Sequence, residues 1–375
     1  MKVNYDFYKG QDLYSDGEIE NEIIEYAKKY KDAEEIFKGD IRWPVFYHLT
    51  PIRKNIINWY NFNKDSDVLE IGAGMGAITE ALCEKCKNVV CVELSKNRAT
   101  SIMERNKDKE NLEIIVGNLN DVDFGDRKFD YITLIGVYEY AASYTNTSDP
   151  YHDFLNNIKK LLKPNGKLLI AIENKFGMKY WIGAPEDHTG KKYDGITGYS
   201  KDTKVCTFGK QELKQILAEC GLGYTKFYYP LPDYKLPTAI FSDEYLPTEE
   251  TIENYVPYYY EGTEIEFDEI KAYKEIIKNN MFDFFANSFL VECSESEINT
   301  KIDYTKINLN KIGENSKRFF EKDYTKKTPK VETNNKQVEE LQQEIKELKT
   351  KIEAIEDSRA WKITKPLRDI RKKLK

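Results

Sequence analysis

The run Val68-Leu69-Glu70-Ile71-Gly72-Ala73-Gly74-Met75-Gly76-Ala77-Ile78-Thr79 constrains this chain more than any other stretch. Asp67 to Ile71 reads as a short buried strand and Ile78 to Leu82 as the start of a helix, with three glycines in the turn between them. Gly72 suits the positive φ of a tight turn, and bare backbone at Gly74 and Gly76 lets a ligand lie against the chain. The N–H groups that open the helix face an electronegative group on that ligand. The pattern predicts a nucleotide-type site at the first strand of an α/β sheet.

As a string, Gly72, Gly74 and Ala77 also satisfy the dinucleotide pattern G-x-G-x-x-G/A, so a nicotinamide enzyme is one reading. Two features point elsewhere. Glu70 sets a carboxylate beside the turn, a poor neighbour for a pyrophosphate and a good one for an ammonium. Gly76 completes G-x-G-x-G. An acidic residue, any residue, then G-x-G-x-G resembles the first motif of the class I S-adenosylmethionine-dependent methyltransferases. The resemblance implies a cofactor with an amine and a sulfonium and no phosphate.

A regular α/β alternation follows, with strands expected at Val89–Glu93, Ile114–Asn118, Phe129–Ile135 and Leu168–Glu173. Glu93 ends the second strand, 21 residues after Gly72, where an acid can accept both ribose hydroxyls. Where many relatives carry an Asp against the adenine amino group, this chain has Asn118, which keeps a carbonyl acceptor without the charge. The glycine turn, the acidic strand end, the polar residue after the third strand and the turn Leu162-Lys163-Pro164-Asn165-Gly166 all resemble that family over roughly residues 45–230. The resemblance implies a Rossmann-like, seven-stranded sheet with helices on both faces. It implies a cofactor set of Glu70, Gly72, Ala73, Gly74, Gly76, Glu93, Leu94, Asn118, Leu119 and Ile135. A helix starting at Thr50-Pro51 brings His48 and Arg53 close to the turn, as surface residues or as partners of the cofactor's carboxylate.

Beyond the fifth strand the chain leaves the minimal pattern. Residues 174–208 open with a polar, aromatic and glycine-rich run through Pro185-Glu186-Asp187-His188, leaving the carboxyl end of a strand where such sheets bind ligands. A long ordered loop there covers a substrate or packs its aromatics on the sheet. His188 is the expected general base, with Glu139, Glu173, Asn174 and Asp187 as further catalytic candidates. Residues 230–286 form a second insertion, between a sixth strand at Tyr224–Tyr229 and a seventh at Asn287–Cys293. Its tyrosines, Tyr245, Tyr255 and Tyr258 to Tyr260, suit sugar stacking or a packed subdomain.

The divisions expected are a helical leader over 1–50 and the methyltransferase-like domain over 51–296. A linker or hairpin follows over 297–336. Val338, Leu341, Ile345, Leu348, Ile352 and Ile355 then mark a two-stranded coiled coil over 337–357, predicting a homodimer. Residues 359–375 carry eight Lys or Arg against Asp369, so a net charge of −7 for the chain leaves −14 elsewhere. An acidic body argues against general nucleic-acid binding, and the tail over 358–375 reads as a basic amphipathic element for an anionic membrane face. Its Ser358-Arg359-Ala360-Trp361 opening resembles tails of bacterial surface-polysaccharide enzymes. No apolar run reaches ~20 residues, and the start lacks the form of a signal peptide, so a cytoplasmic location is expected. Cys83, Cys86 and Cys91 have no fourth ligand nearby, so no metal is expected. The expected function is methylation of a sugar hydroxyl or glycan-linked phosphate, on a nucleotide-sugar or lipid-linked glycan. The alternative is a coiled-coil scaffold in a glycan assembly complex.

Overall fold

The computed structural model describes residues 1–12, 14–259, 262–304 and 307–321. The apolar, β-branched runs assemble into one sheet of nine strands. These are β1 (Lys2–Asn4), β2 (Asp67–Ile71), β3 (Asn88–Glu93), β4 (Leu112–Val116), β5 (Phe129–Ile135), β6 (Leu162–Glu173), β7 (Tyr224–Leu231), β8 (Ala239–Ser242) and β9 (Ser288–Ser294). They lie in the order β1-β4-β3-β2-β5-β6-β9-β7-β8. Strands β1 to β6 pair in parallel, and β9 sits antiparallel between β6 and β7. The direction of winding reverses between β2 and β5, which opens a crevice at their carboxyl ends. This is a Rossmann-like sheet.

Alternation along the strands explains why both faces are covered. Leu69, Ile71, Leu134, Leu168 and Ile170 face one layer with Phe154, Ile158, Leu213 and Leu217 from the helices Pro150–Lys159 and Lys210–Glu219. Val68, Cys91, Ile114, Leu169 and Ala171 face the other with Ala81, Leu82, Ala99 and Ile102 from the helices Thr79–Lys85 and Lys96–Arg105. Strands buried on both sides read as continuous apolar runs, which is how they are visible in the sequence.

Several expectations are corrected. The sheet has nine strands where seven were expected, because β1 and β8 extend its two edges. β1 also means that residues 1–50 are not wholly helical: Lys2–Asn4 pairs with Glu113–Ile115 before the helices Ile19–Lys29, Ala33–Phe37 and Trp43–Leu49 begin. Three residues are too few for a period to show. The helix expected from Thr50-Pro51 is a 3-10 turn over Pro51–Ile56, capped by the Thr50 hydroxyl. The run Leu162 to Gly166, expected as a turn ahead of a strand at Leu168–Glu173, is itself part of β6, which opens at Leu162.

The segment expected as a linker packs back on the body in its described part. Phe319 and Phe320 are buried, and the Phe319 ring stacks on Phe46 at 4.2 Å between centroids. Asn310 bonds to Asn55, and Ser316 and Asn315 to Glu34. A run rich in Lys, Asn and Thr hides this, since two adjacent aromatics supply the burial. The coiled coil over 337–357, the tail over 358–375 and Tyr260 lie outside the described residues. No helix among the described residues is long and apolar enough to cross a membrane.

Candidate active site

The crevice beyond β2 and β5 is a cavity of about 350 Å³. Its floor is the glycine turn. Gly72 has φ +71° and leaves no room for a side chain, because a Cβ there would lie 2.5 Å from Val137 Cγ2. Gly74 has φ +56° and nothing within 4 Å of a Cβ position, so its bare backbone faces the cavity. Gly76 corrects the expectation: it does not line the cavity, and it is needed because a Cβ would press on Ile102 Cα at 3.2 Å. Two of the three glycines therefore serve packing and turn geometry, and Gly74 alone offers an open approach.

Glu93 ends β3 buried, with its carboxylate accepting the Gly74 N–H at 2.7 Å and the Ser95 N–H at 2.9 Å. Each oxygen keeps lone-pair capacity for a further donor in the cavity. Burial raises the Glu93 carboxyl, and the Ser95 N–H opposes that. Glu70 accepts the Thr79 hydroxyl at 2.7 Å, and burial pushes its carboxyl up to about 8 against that bond. Such a carboxyl gains most from an ammonium beside it. Ala73, Leu94, Asn118, Leu119 and Ile135 line the same cavity. The Asn118 carbonyl already accepts the Asn120 N–H at 3.0 Å, leaving it a second lone pair.

His48 and Arg53 also line the cavity, and both are buried. His48 is spoken for by Asp16 at 3.0 Å, and burial lowers its affinity for a proton despite that bond. Arg53 donates to the Lys235 carbonyl at 3.0 Å and stacks on Tyr47, while its Nε has no partner among the described residues. An orphaned buried guanidinium N–H in the crevice is the donor that an amino-acid carboxylate satisfies. Arg53, Glu70, Glu93 and the bare Gly74 thus fit, in turn, a carboxylate, an ammonium, a ribose diol and a ligand lying close on the backbone. S-Adenosylmethionine presents all of these.

At the far end lie Glu139, Glu173, Asp187 and His188, four of the five catalytic candidates. Asn174 is not among them. Its amide donates to the carbonyls of Phe284 at 2.7 Å and Ala286 at 2.8 Å and accepts the Phe176 N–H, so it fastens the insertion after β6 to the chain before β9. Asp187 is bound by Lys179 at 2.6 Å and Lys235 at 3.4 Å. Burial disfavours its charge, yet Lys179 and Lys235 hold it well below the ordinary carboxylate range.

Glu139, from the turn after β5, is 1% exposed, and burial together with the neighbouring Glu173 pushes it up to about 8. His188 bonds Glu186 through Nδ1 at 3.1 Å, with Nε2 3.9 Å from Glu139. Burial works against its charge, but Glu173, Glu186 and Glu139 outweigh that and raise His188 to about 9.

Tyr14, Asp16, Arg98, Tyr140, Tyr234 and Lys235 complete the walls and were not foreseen. Tyr234 and Lys235 had a signal, since they lie in the Tyr-Pro-rich run that opens the second insertion. Asp16 and Arg98, paired at 2.8 Å across the fold, had none. Of the insertion's other tyrosines, Tyr245, Tyr255, Tyr258 and Tyr259 do not line the cavity. Tyr255 is buried and bonds Glu269 at 2.7 Å, and Tyr258 bonds Asp233 at 2.7 Å, so of the two readings the packed subdomain holds for these.

Residues 69–170 match a family model described as a methyltransferase domain. This stretch is a methyltransferase domain. Among curated relatives, the domain region is similar to Ribosomal RNA small subunit methyltransferase A of Fusobacterium nucleatum, 33% identical over 72 residues, covering 19% of this chain and 27% of that protein. It is similar to Ubiquinone biosynthesis O-methyltransferase of Rickettsia bellii, 22% identical over 165 residues, 42% of this chain and 65% of that protein. The chain thus spans between 27% and 65% of the length of these two relatives. A solved Thermotoga maritima structure described as a SAM-dependent methyltransferase, possible histamine N-methyltransferase, aligns at 14% identity over 67% of this chain and 92% of that one, with a TM-score of 0.39. The cofactor of the domain is S-adenosylmethionine. Arg53, Glu70, Gly74 and Glu93 are the residues that fit it.

Proposed function

We propose that the chain is an S-adenosylmethionine-dependent methyltransferase that methylates an oxygen of a hydroxylated acceptor, a sugar hydroxyl or glycan-linked phosphate of bacterial surface-polysaccharide assembly. The observation that carries the oxygen acceptor is the buried group at the far end of the crevice, where Glu139, Glu173 and His188 offer hydrogen-bonding atoms among the rings of Tyr14, Trp43, Tyr47 and Tyr140. Rings with polar atoms between them suit a hydroxylated ring. The bound cofactor supplies an electrophilic methyl group. The chain's part is to align the acceptor, exclude water and take the hydroxyl proton.

Which group takes that proton follows from the charges. His188, raised to about 9, already holds a proton at neutral pH. Glu139, at about 8, is the better-matched acceptor, and we assign it the role of base. Asp187 serves to hold Lys179 and Lys235. The alternative reading is a scaffold without turnover, favoured by the a/d seam over 337–357. Calorimetry with S-adenosylhomocysteine, then mass spectrometry of nucleotide sugars and lipid-linked glycans incubated with S-adenosylmethionine, separates the two. Cofactor binding followed by a methyl mass shift supports the enzyme, and absence of cofactor binding overturns it. Dimerisation through the coil and work at the inner membrane face belong to the same proposal.

A further inference from the structure

We propose that Glu139, Glu173 and His188 form a binding site for a divalent cation, placed to hold an oxygen of the acceptor. One ligand atom from each of the three lies within 4.8 Å of the other two. His188 and Glu173 are each fixed on one side and open on the other. The His188 Nδ1 bonds the Glu186 carboxylate at 3.1 Å, and that carboxylate is itself held by the N–H groups of His188 and Thr189 at 2.9 and 2.7 Å. This leaves Nε2 for the cavity, the arrangement in which a carboxylate orients a metal-binding imidazole. Glu173 engages Lys235 and the Tyr234 hydroxyl, at 3.2 Å, through Oε1 alone.

The second observation is independent of that grouping. Oε2 of Glu139 and Oε2 of Glu173 are both buried without a hydrogen-bond partner among the described residues, on side chains only 1% and 0% exposed. Buried carboxylate oxygens are costly to leave so. An imidazolium at His188 does not resolve this, because its Nε2 has one proton to give and stands 3.9 Å from Glu139. A cation in place of that proton reaches all three groups at once. Two carboxylates and one imidazole suit Mn²⁺, with Mg²⁺ and Zn²⁺ as neighbours in preference. Three protein ligands leave positions open for acceptor oxygens.

The role in transfer rests on the proposed methylation, whereas the site itself does not. A hydroxyl bound to the cation gives its proton to the carboxylate oxygen of Glu139 that the cation leaves free. The oxygen then bonds the methyl carbon as the carbon–sulfur bond breaks. The products are the methylated acceptor, neutral S-adenosylhomocysteine and one proton.

The test uses full-length protein freed of metal by chelation. Mn²⁺ is titrated and followed by electron paramagnetic resonance and calorimetry, with S-adenosylhomocysteine binding measured alongside. The expected result is one Mn²⁺ per chain, weakened at least about tenfold in Glu139→Gln, Glu173→Gln and His188→Gln, with S-adenosylhomocysteine binding retained as proof of fold. Absence of Mn²⁺, Mg²⁺ and Zn²⁺ binding to the wild type, or binding unmoved in all three variants, overturns the site. Cation binding without S-adenosylhomocysteine binding keeps the site and removes the methyl-transfer reading. The reverse result removes only the cation.

Discussion

Replacing Glu93 with alanine should separate cofactor binding from everything else in the crevice. The carboxylate is buried at the end of β3, and each of its oxygens already accepts one backbone N–H, from Gly74 at 2.7 Å and Ser95 at 2.9 Å. What remains on each oxygen is capacity for one ribose hydroxyl. A hydrogen bond to a charged acceptor contributes about 1.5–3 kcal/mol, and water entering the space left by the carboxylate recovers part of the two that are lost. The net loss should be about 1.5–3 kcal/mol, or roughly 10- to 150-fold in dissociation constant. The same substitution strands the Gly74 and Ser95 N–H groups, so stability should fall by about 1–3 kcal/mol each unless water reaches them. Calorimetry with S-adenosylhomocysteine, on protein shown by circular dichroism to be folded, gives the affinity. A control ligand without the ribose hydroxyls should bind wild type and variant alike. Unchanged affinity for S-adenosylhomocysteine in a folded variant would falsify the assignment of Glu93 to the ribose.

Further predictions concern the remaining parts of the molecule. Because Glu139 without a bound cation is raised to about 8, turnover measured in the presence of a chelator should climb with pH through that value, and Glu139→Gln should lose the climb and about 10²–10⁴-fold of rate; a variant that keeps both sinks its role as base. Glu70 is also raised to about 8, so the folded state binds its proton more tightly than the unfolded chain, and stability is lost as pH rises from the ordinary carboxyl range through about 8. Glu70→Gln removes that loss while keeping an acceptor for Thr79, so its stability relative to wild type should grow by on the order of 3 kcal/mol between pH 5 and 9; parallel urea curves for the two proteins across that range contradict this. Phe319→Ala should cost about 3–5 kcal/mol, since the ring is buried against Phe46, and a midpoint unmoved in denaturant shows that the segment does not support the fold. Deleting residues 359–375 should abolish flotation with anionic liposomes and spare methyl transfer to a soluble acceptor, each basic residue near the surface adding about 1 kcal/mol; full-length protein that ignores such vesicles at low salt rules out the membrane role.

The sequence by itself determined the sheet's interior and the cofactor end of the crevice. Buried parallel strands must be apolar throughout, and a turn that touches a ligand must be glycine, so Val68 to Gly74, Glu93 and Asn118 stand out locally. Edge strands carry no such mark: Lys2–Asn4 and Ala239–Ser242 are three and four residues long, and pairing on one side makes them strands. The tertiary structure alone decided the far end. Glu139, Glu173 and His188 come from the turn after β5, the end of β6 and a loop, and nothing in their spacing says that their side-chain ends meet. Asn174 and Gly76 carry the right chemistry in the right motif, yet one is spent on the carbonyls of Phe284 and Ala286 before β9 and the other on helix packing. A side chain's local pattern limits what it can bond, but burial and the partners that reach it are properties of the assembled fold, and they set both its charge and its use.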